Sequence, residues 1–159
     1  MRYAGCRAAA HTVFRAMRMK IARFPSSSRL TRPTILFARV ITAGLFMAHA
    51  VVRIANDTIP QFGQFMEGQG FPAGEALVWA ITLTELVAGF LMIVGRFVRP
   101  AAAALLAIAV GGIVLIHRHS GWFVGEHGTG GVEYSAALII LLLLIMADDQ
   151  DRQPRLEIP

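Results

Sequence analysis

Four stretches of the chain are predominantly apolar over lengths close to the roughly 20 residues a helix needs to cross a bilayer core. They run over about 34–54, 76–95, 100–117 and 132–147. The segments between them carry Gly, Pro and most of the charge. This pattern predicts an all-α membrane protein, an antiparallel four-helix transmembrane bundle. A basic extension, residues 1–33, precedes it, and an acidic tail, residues 148–159, follows it. Within the first connection, Ile59, Phe62, Phe65 and Met66 are spaced for a short interfacial helix. In the third stretch the alanines and Gly111–Gly112 predict close helix packing, because membrane helices associate through contact between small residues.

The second stretch, ALVWAITLTELVAGFLMIVG, contains one ionisable residue, Glu85, at its middle. A charge at the bilayer centre costs on the order of 3 kcal/mol. Glu85 must therefore lose its charge, find a partner or face water. The first stretch supplies the partners. Arg39, Thr42, His49 and Arg53 fall within an arc of roughly 80° when plotted at 100° per residue. A polar stripe of this kind turns toward neighbouring helices and away from lipid. On the second stretch Thr82, Glu85 and Gly89 share a face, and Gly89 admits a close backbone there. Counting 1.5 Å per residue sets Arg39 and His49 roughly 7–8 Å to either side of mid-membrane. On that count Arg39 is the cation within reach of Glu85.

Composition agrees with the pattern. The chain of 159 residues is 55% hydrophobic and 16% charged, and its mean hydropathy of +0.57 is too high for an ordinary soluble domain. The net charge of +5 does not point to nucleic acid, because eight of the fifteen basic residues lie before Thr34 in a segment without acids. Basic residues placed before a first span are an orientation signal, and no basic surface interleaved with aromatics follows. The same rule puts both termini and the Arg96–Arg99 turn in the cytoplasm, with the loops beyond Arg53 and Arg118 on the far side. The lipid bilayer is the partner the spans require. Within residues 1–33, Phe14, Met17, Ile21 and Phe24 recur at helical spacing among the arginines. They suit a helix lying on an anionic leaflet, an extension translated from a start upstream of Met17 or Met19, or a transit-like segment. Pro25 and the serines after it end any helix there. The one cysteine, Cys6, excludes an intrachain disulfide, a CxxC pair, haem attachment through CxxCH and an iron–sulfur cluster held by this chain alone.

Several short motifs carry a family resemblance. They are Arg39, then His49 followed four residues later by Arg53, and the triplet Gly70-Phe71-Pro72. After these come the run from Glu85 to Arg99 (ELVAGFLMIVGRFVR), HSGWF from His119 and GGVEY from Gly130. Together they resemble the DoxX-like family of small four-helix membrane proteins over about residues 35–147. Ala50 and Arg53 stand where the family often has Gly and Lys, and Asp148–Asp149 replace a Gly-Pro-Gly ending followed by Asp. The resemblance implies a bacterial inner-membrane protein in a redox-linked setting, since the family is similar to the quinone-reducing subunit of thiosulfate oxidation systems.

Under that resemblance Glu85, His49 and Arg39 form the candidate catalytic centre, with Glu85 and His49 passing protons to or from a bound quinone. The other reading of Glu85 is a structural ion pair joining the first two spans. Arg53, Glu133 and Tyr134 are the candidate cofactor-binding rim. No intrinsic cofactor is expected beyond such a quinone. A redox-enzyme subunit is the protein partner implied, and self-association is compatible with the bundle. His49 and His117 lie on different spans toward the same side, the arrangement a b-type haem would use, although a hydrogen-bonded His at a helix end is the plainer reading. His119, Glu126, His127 and Glu133 follow no compact ligand spacing, so no metal site is expected. Glu133 more simply complements the start of the last helix. Two other function classes stand beside the redox reading. One is a non-catalytic scaffold or assembly partner for another membrane protein, and the other is a small transporter.

Overall fold

A computed structural model describes residues 31–117, 121–123 and 131–152. The described chain is all-helical. Its helices are α1 (Thr31–Ala55), α2 (Ile59–Gly68), α3 (Gly74–Val94), α4 (Val98–Leu115) and α5 (Glu133–Arg152). Of these, α1, α3 and α4 are long and apolar enough to cross a membrane. The fourth expected span also forms a helix, α5, but Glu133, Asp148 and Asp149 near its ends shorten its apolar part. The short interfacial helix expected in the first connection is α2. Expectations for the segment before Thr31 and the tail after Arg152 lie outside the described residues.

Small side chains set how these helices meet. Ala43 and Phe46 of α1, Ala88 and Met92 of α3, Ala102 and Leu105 of α4, and Leu142 and Ile145 of α5 belong to one buried cluster. A second, smaller cluster joins Ile59 and Met66 of α2 to Val78 of α3. The crossing of α2 and α3 is closer than any side chain allows. A Cβ on Gly74 would run into the carbonyl oxygen of Gly63, and one on Gly63 would stand 2.7 Å from the Glu75 nitrogen. Here α3 starts after Ala73, which has no side chain to cap it, and Glu67 of α2 supplies the acceptor instead. Its Oε1 takes the Gly74 N–H at 3.2 Å, placing a carboxylate at the positive end of the helix.

Helices α1 and α3 both stop abruptly for local reasons. Beyond α1, Asp57 adopts a left-handed φ of 50°, and Thr58 N–H and Oγ1–H both donate to the carbonyl of Arg53. Beyond α3, Gly95 has φ 77°, and its N–H donates to the Met92 carbonyl while that of Arg96 donates to Leu91. This pair of bonds is the Schellman arrangement, and it requires a residue free to take a left-handed backbone.

Three contacts define how α1 lies on α3. Arg39 lies beside Gly95, Ala43 and Met47 lie against Gly89, and Arg53 reaches Thr82 and Glu85. The two helices therefore run in opposite directions, with Glu85 level with the C-terminal part of α1. Gly89 provides the close approach expected of it. Gly111 and Gly112 do not: a Cβ on Gly111 would meet nothing within 4 Å, and one on Gly112 only the His117 ring at 3.9 Å. These glycines leave space in place of joining helices.

Candidate functional site

The ionisable centre forms where α1, α2 and α3 converge. Arg53, near the end of α1, places Nη1 at 2.8 Å from Glu85 Oε2 and at 2.8 Å from Thr82 Oγ1. Thr82 accepts that bond and donates its own proton to the Val78 carbonyl, one turn back, at 2.7 Å. The Arg53 guanidinium also stacks over the Phe62 ring of α2, 5.6 Å from its centroid. Little of the pair is open: the side chains are 13% exposed for Arg53 and 4% for Glu85. An unpaired carboxylate this deep would be untenable. A guanidinium bonded to it, fixed by a hydroxyl and covered by an aromatic face makes the placement sustainable.

This arrangement corrects the expectation that Arg39 meets Glu85. The cause is axial register. Placing both helices centrally in the membrane sets Glu85 opposite the middle of α1, but the observed packing slides it about six residues, or about 9 Å, toward the α1 C-terminus. Arg53 thereby moves from the rim to the centre. Arg39 is carried to the far end of α3, beside Gly95.

A cavity of about 610 Å³ opens against the Arg53–Glu85 pair. Its wall is mostly apolar, built from residues such as Phe46, Phe62, Ile81, Leu115 and Leu138, and Gly111 and Gly112 lie on it. Among the expected site residues, His49, Arg53, Glu85 and Tyr134 all line it, and so does His117. Arg39 and Glu133 are not on its wall. Glu133 begins α5, its N–H bonded to the Trp122 carbonyl at 3.0 Å, in keeping with an acid at a helix N-terminus. The histidines considered as a haem pair share this one cavity. Of the loop groups weighed for a metal, His119, Glu126 and His127 lie outside the described residues. Among the described residues no group of three His, Cys, Asp or Glu side chains is placed to hold a metal.

Sequence reasoning passed over Phe62 as a cover for the pair and Ser135 as a buried polar residue of the wall. Phe62 lies on an interfacial helix, where an aromatic needs no further explanation. Nothing in its spacing pointed toward Arg53.

The sequence model of the DoxX family matches residues 34–118, just over half of the chain, from α1 to just past α4. The chain belongs to the DoxX family. That match takes in Arg53, Thr82, Glu85, Phe62 and both cavity histidines. No curated protein and no solved structure matches the chain. Membrane-spanning helices and membership of the DoxX family together make this a membrane protein.

Proposed function

We propose that this DoxX protein is a quinone-interacting or accessory subunit of a membrane redox system, lying in the bacterial inner membrane as an antiparallel four-span bundle with cytoplasmic termini. The observation that carries the reading is the cavity: mostly apolar, about 610 Å³, with a buried guanidinium–carboxylate pair on its wall. That volume falls within the range of about 300–1,000 Å³ usual for small-molecule sites. An apolar ring bearing two carbonyl groups fits such a lining, and Arg53, His49, His117 and Tyr134 are the donors that would orient those carbonyls. When bound, a quinone supplies the acceptor for two electrons and two protons. The residues of this chain hold the ring, exclude water and exchange protons, with Glu85 and His49 as the exchanging groups. Electrons would come from a redox-enzyme partner.

The test is chemical. Protein purified in mild detergent is extracted and assayed for quinone by chromatography, alongside Gly111→Leu, which fills the cavity where nothing else stands. Quinone retained by the unsubstituted protein and lost in the variant supports the reading. Equal amounts in both, or none in either together with no binding of a short-chain quinone, rejects it.

A second reading, a non-catalytic scaffold, is favoured by the same ion pair seen as structure, since it joins α1 to α3 and is complete without a ligand. A partner that co-purifies at fixed ratio, with the pair dispensable for quinone content, would favour the scaffold.

A further inference from the structure

Arg39 has no ion pair among the described residues, and its Nε is buried without a hydrogen-bond partner. The other buried side-chain atom in that position is Thr42 Oγ1, one turn further along α1. The described interior thus leaves its unmet polar groups together, at one place on one helix. Arg39 as a residue is half-buried, so its inner edge is orphaned while its outer end reaches the surface. That end lies where α3 stops: Nη2 would be 3.3 Å from a Cβ on Gly95. Of the carbonyls in that last turn, those of Leu91 and Met92 already accept from Arg96 and Gly95. The turn adds Arg96, exposed, and Arg99, half-buried, and neither forms an ion pair among the described residues. Exposed apolar side chains flank this concentration of positive charge: Leu36, Phe37 and Val40 on α1 and Phe97 in the turn.

We propose that Arg39, with Arg96 and Arg99, binds the phosphate of an anionic phospholipid headgroup. The guanidinium supplies charge-assisted bonds to phosphate oxygens, and the surrounding Leu36, Phe37 and Phe97 meet the acyl chains. These exposed apolar neighbours favour a lipid over a free anion. The proposal does not depend on the cavity or on quinone.

Native mass spectrometry of the detergent-solubilised protein, given phosphatidylglycerol and phosphatidylcholine of matched chains, tests it. The unsubstituted protein should retain phosphatidylglycerol preferentially, and Arg39→Gln should lower that preference by about fivefold, the effect of one basic residue at a lipid surface. If Arg39→Gln fails to fold, Arg96→Gln/Arg99→Gln should show a larger loss, about 25-fold for two basic residues. High salt should weaken the preference of the unsubstituted protein. Equal retention of both lipids by that protein, or an unchanged preference in folded variants, overturns the proposal. So does displacement of the lipid by inorganic phosphate alone, which would make this a free-anion site.

Discussion

Breaking the Arg53–Glu85 pair from its two sides should have very unequal effects. Arg53→Met removes the cation and the stack on Phe62, and leaves a carboxylate 4% exposed with no counter-charge. Orphaning one partner of a buried pair typically costs about 3–5 kcal/mol. Glu85→Gln keeps the shape and an amide oxygen that can accept from Nη1. Arg53 retains its bond to Thr82 and is itself less deeply buried, at 13%. The loss is then that of a charge-assisted bond becoming a neutral one, about 1–2 kcal/mol. Arg53→Met/Glu85→Leu removes both charges. Thr82 is not orphaned by this, because it still donates to the Val78 carbonyl. The double variant should therefore fall within about 1 kcal/mol of the unsubstituted protein, as apolar replacements of buried ion pairs often do.

The assay is denaturant unfolding in detergent micelles followed by helical circular dichroism, with Glu85→Leu added as the single variant that closes the double-mutant cycle. The expected order of stability has the double variant well above Arg53→Met, and Glu85→Gln between them or close to the double. A tolerated Arg53→Met, losing less than about 1 kcal/mol, would mean that the pair is solvated in the membrane-embedded protein. Additive single effects would mean that the two groups do not interact. Either result would refute the site geometry.

Other substitutions probe the rest of the reading. Glu85→Gln should stay folded yet lose proton-coupled quinol turnover once a redox partner is supplied, and full turnover would remove the carboxyl from proton exchange. Gly74→Ala should lower the thermal midpoint strongly, because its Cβ would strike the Gly63 carbonyl, whereas Gly44→Ala, with nothing within 4 Å, should not. Glu67→Ala should cost about 1 kcal/mol through loss of the α3 cap, seen as a lower unfolding midpoint without loss of fold. Gly111→Ala should stabilise α4 by about 0.5–1 kcal/mol, since a helical glycine with open space around it gains from a side chain. A destabilised Gly111→Ala would mean that another helix or subunit occupies that space.

Several features of the fold follow directly from residue order. Runs of apolar residues near 20 long bounded by Gly, Pro and charge leave few alternatives to spanning helices. The polar stripe of α1 identified the face that meets α3, because angular position depends only on the helical repeat. Gly89 was legible for the same reason, as it shares a face with Glu85. Gly111 and Gly112 were not, since a small residue serves equally for close contact and for a cavity wall, and the outcome depends on what the other helices bring to it. Here a Cβ on Gly111 would meet nothing within 4 Å and one on Gly112 only the His117 ring, so a gap is left.

The choice between Arg39 and Arg53 exposes the deeper limit. Helical periodicity fixes direction around an axis but not displacement along it, and both arginines lie in one arc. Displacement is set by where a close approach is possible at all, and on α3 that place is Gly89. Its missing side chain admits Ala43 and Met47. Once that contact is made, sliding of α1 along α3 is restricted. Arg53 falls at Thr82 and Glu85, four to seven residues before Gly89, while Arg39 falls at Gly95, six residues beyond it. One glycine thus decides which cation neutralises the buried acid and which is left half-buried without an ion pair among the described residues. Gly89→Leu should shift this register, so it should lose the Arg53–Glu85 pair without touching either residue. The distance between spin labels on Val40→Cys of α1 and Ile93→Cys of α3, both exposed positions, in a Cys6→Ser background should change with Gly89→Leu. An unchanged distance would show that the ion pair, and not the glycine contact, sets how the two helices align.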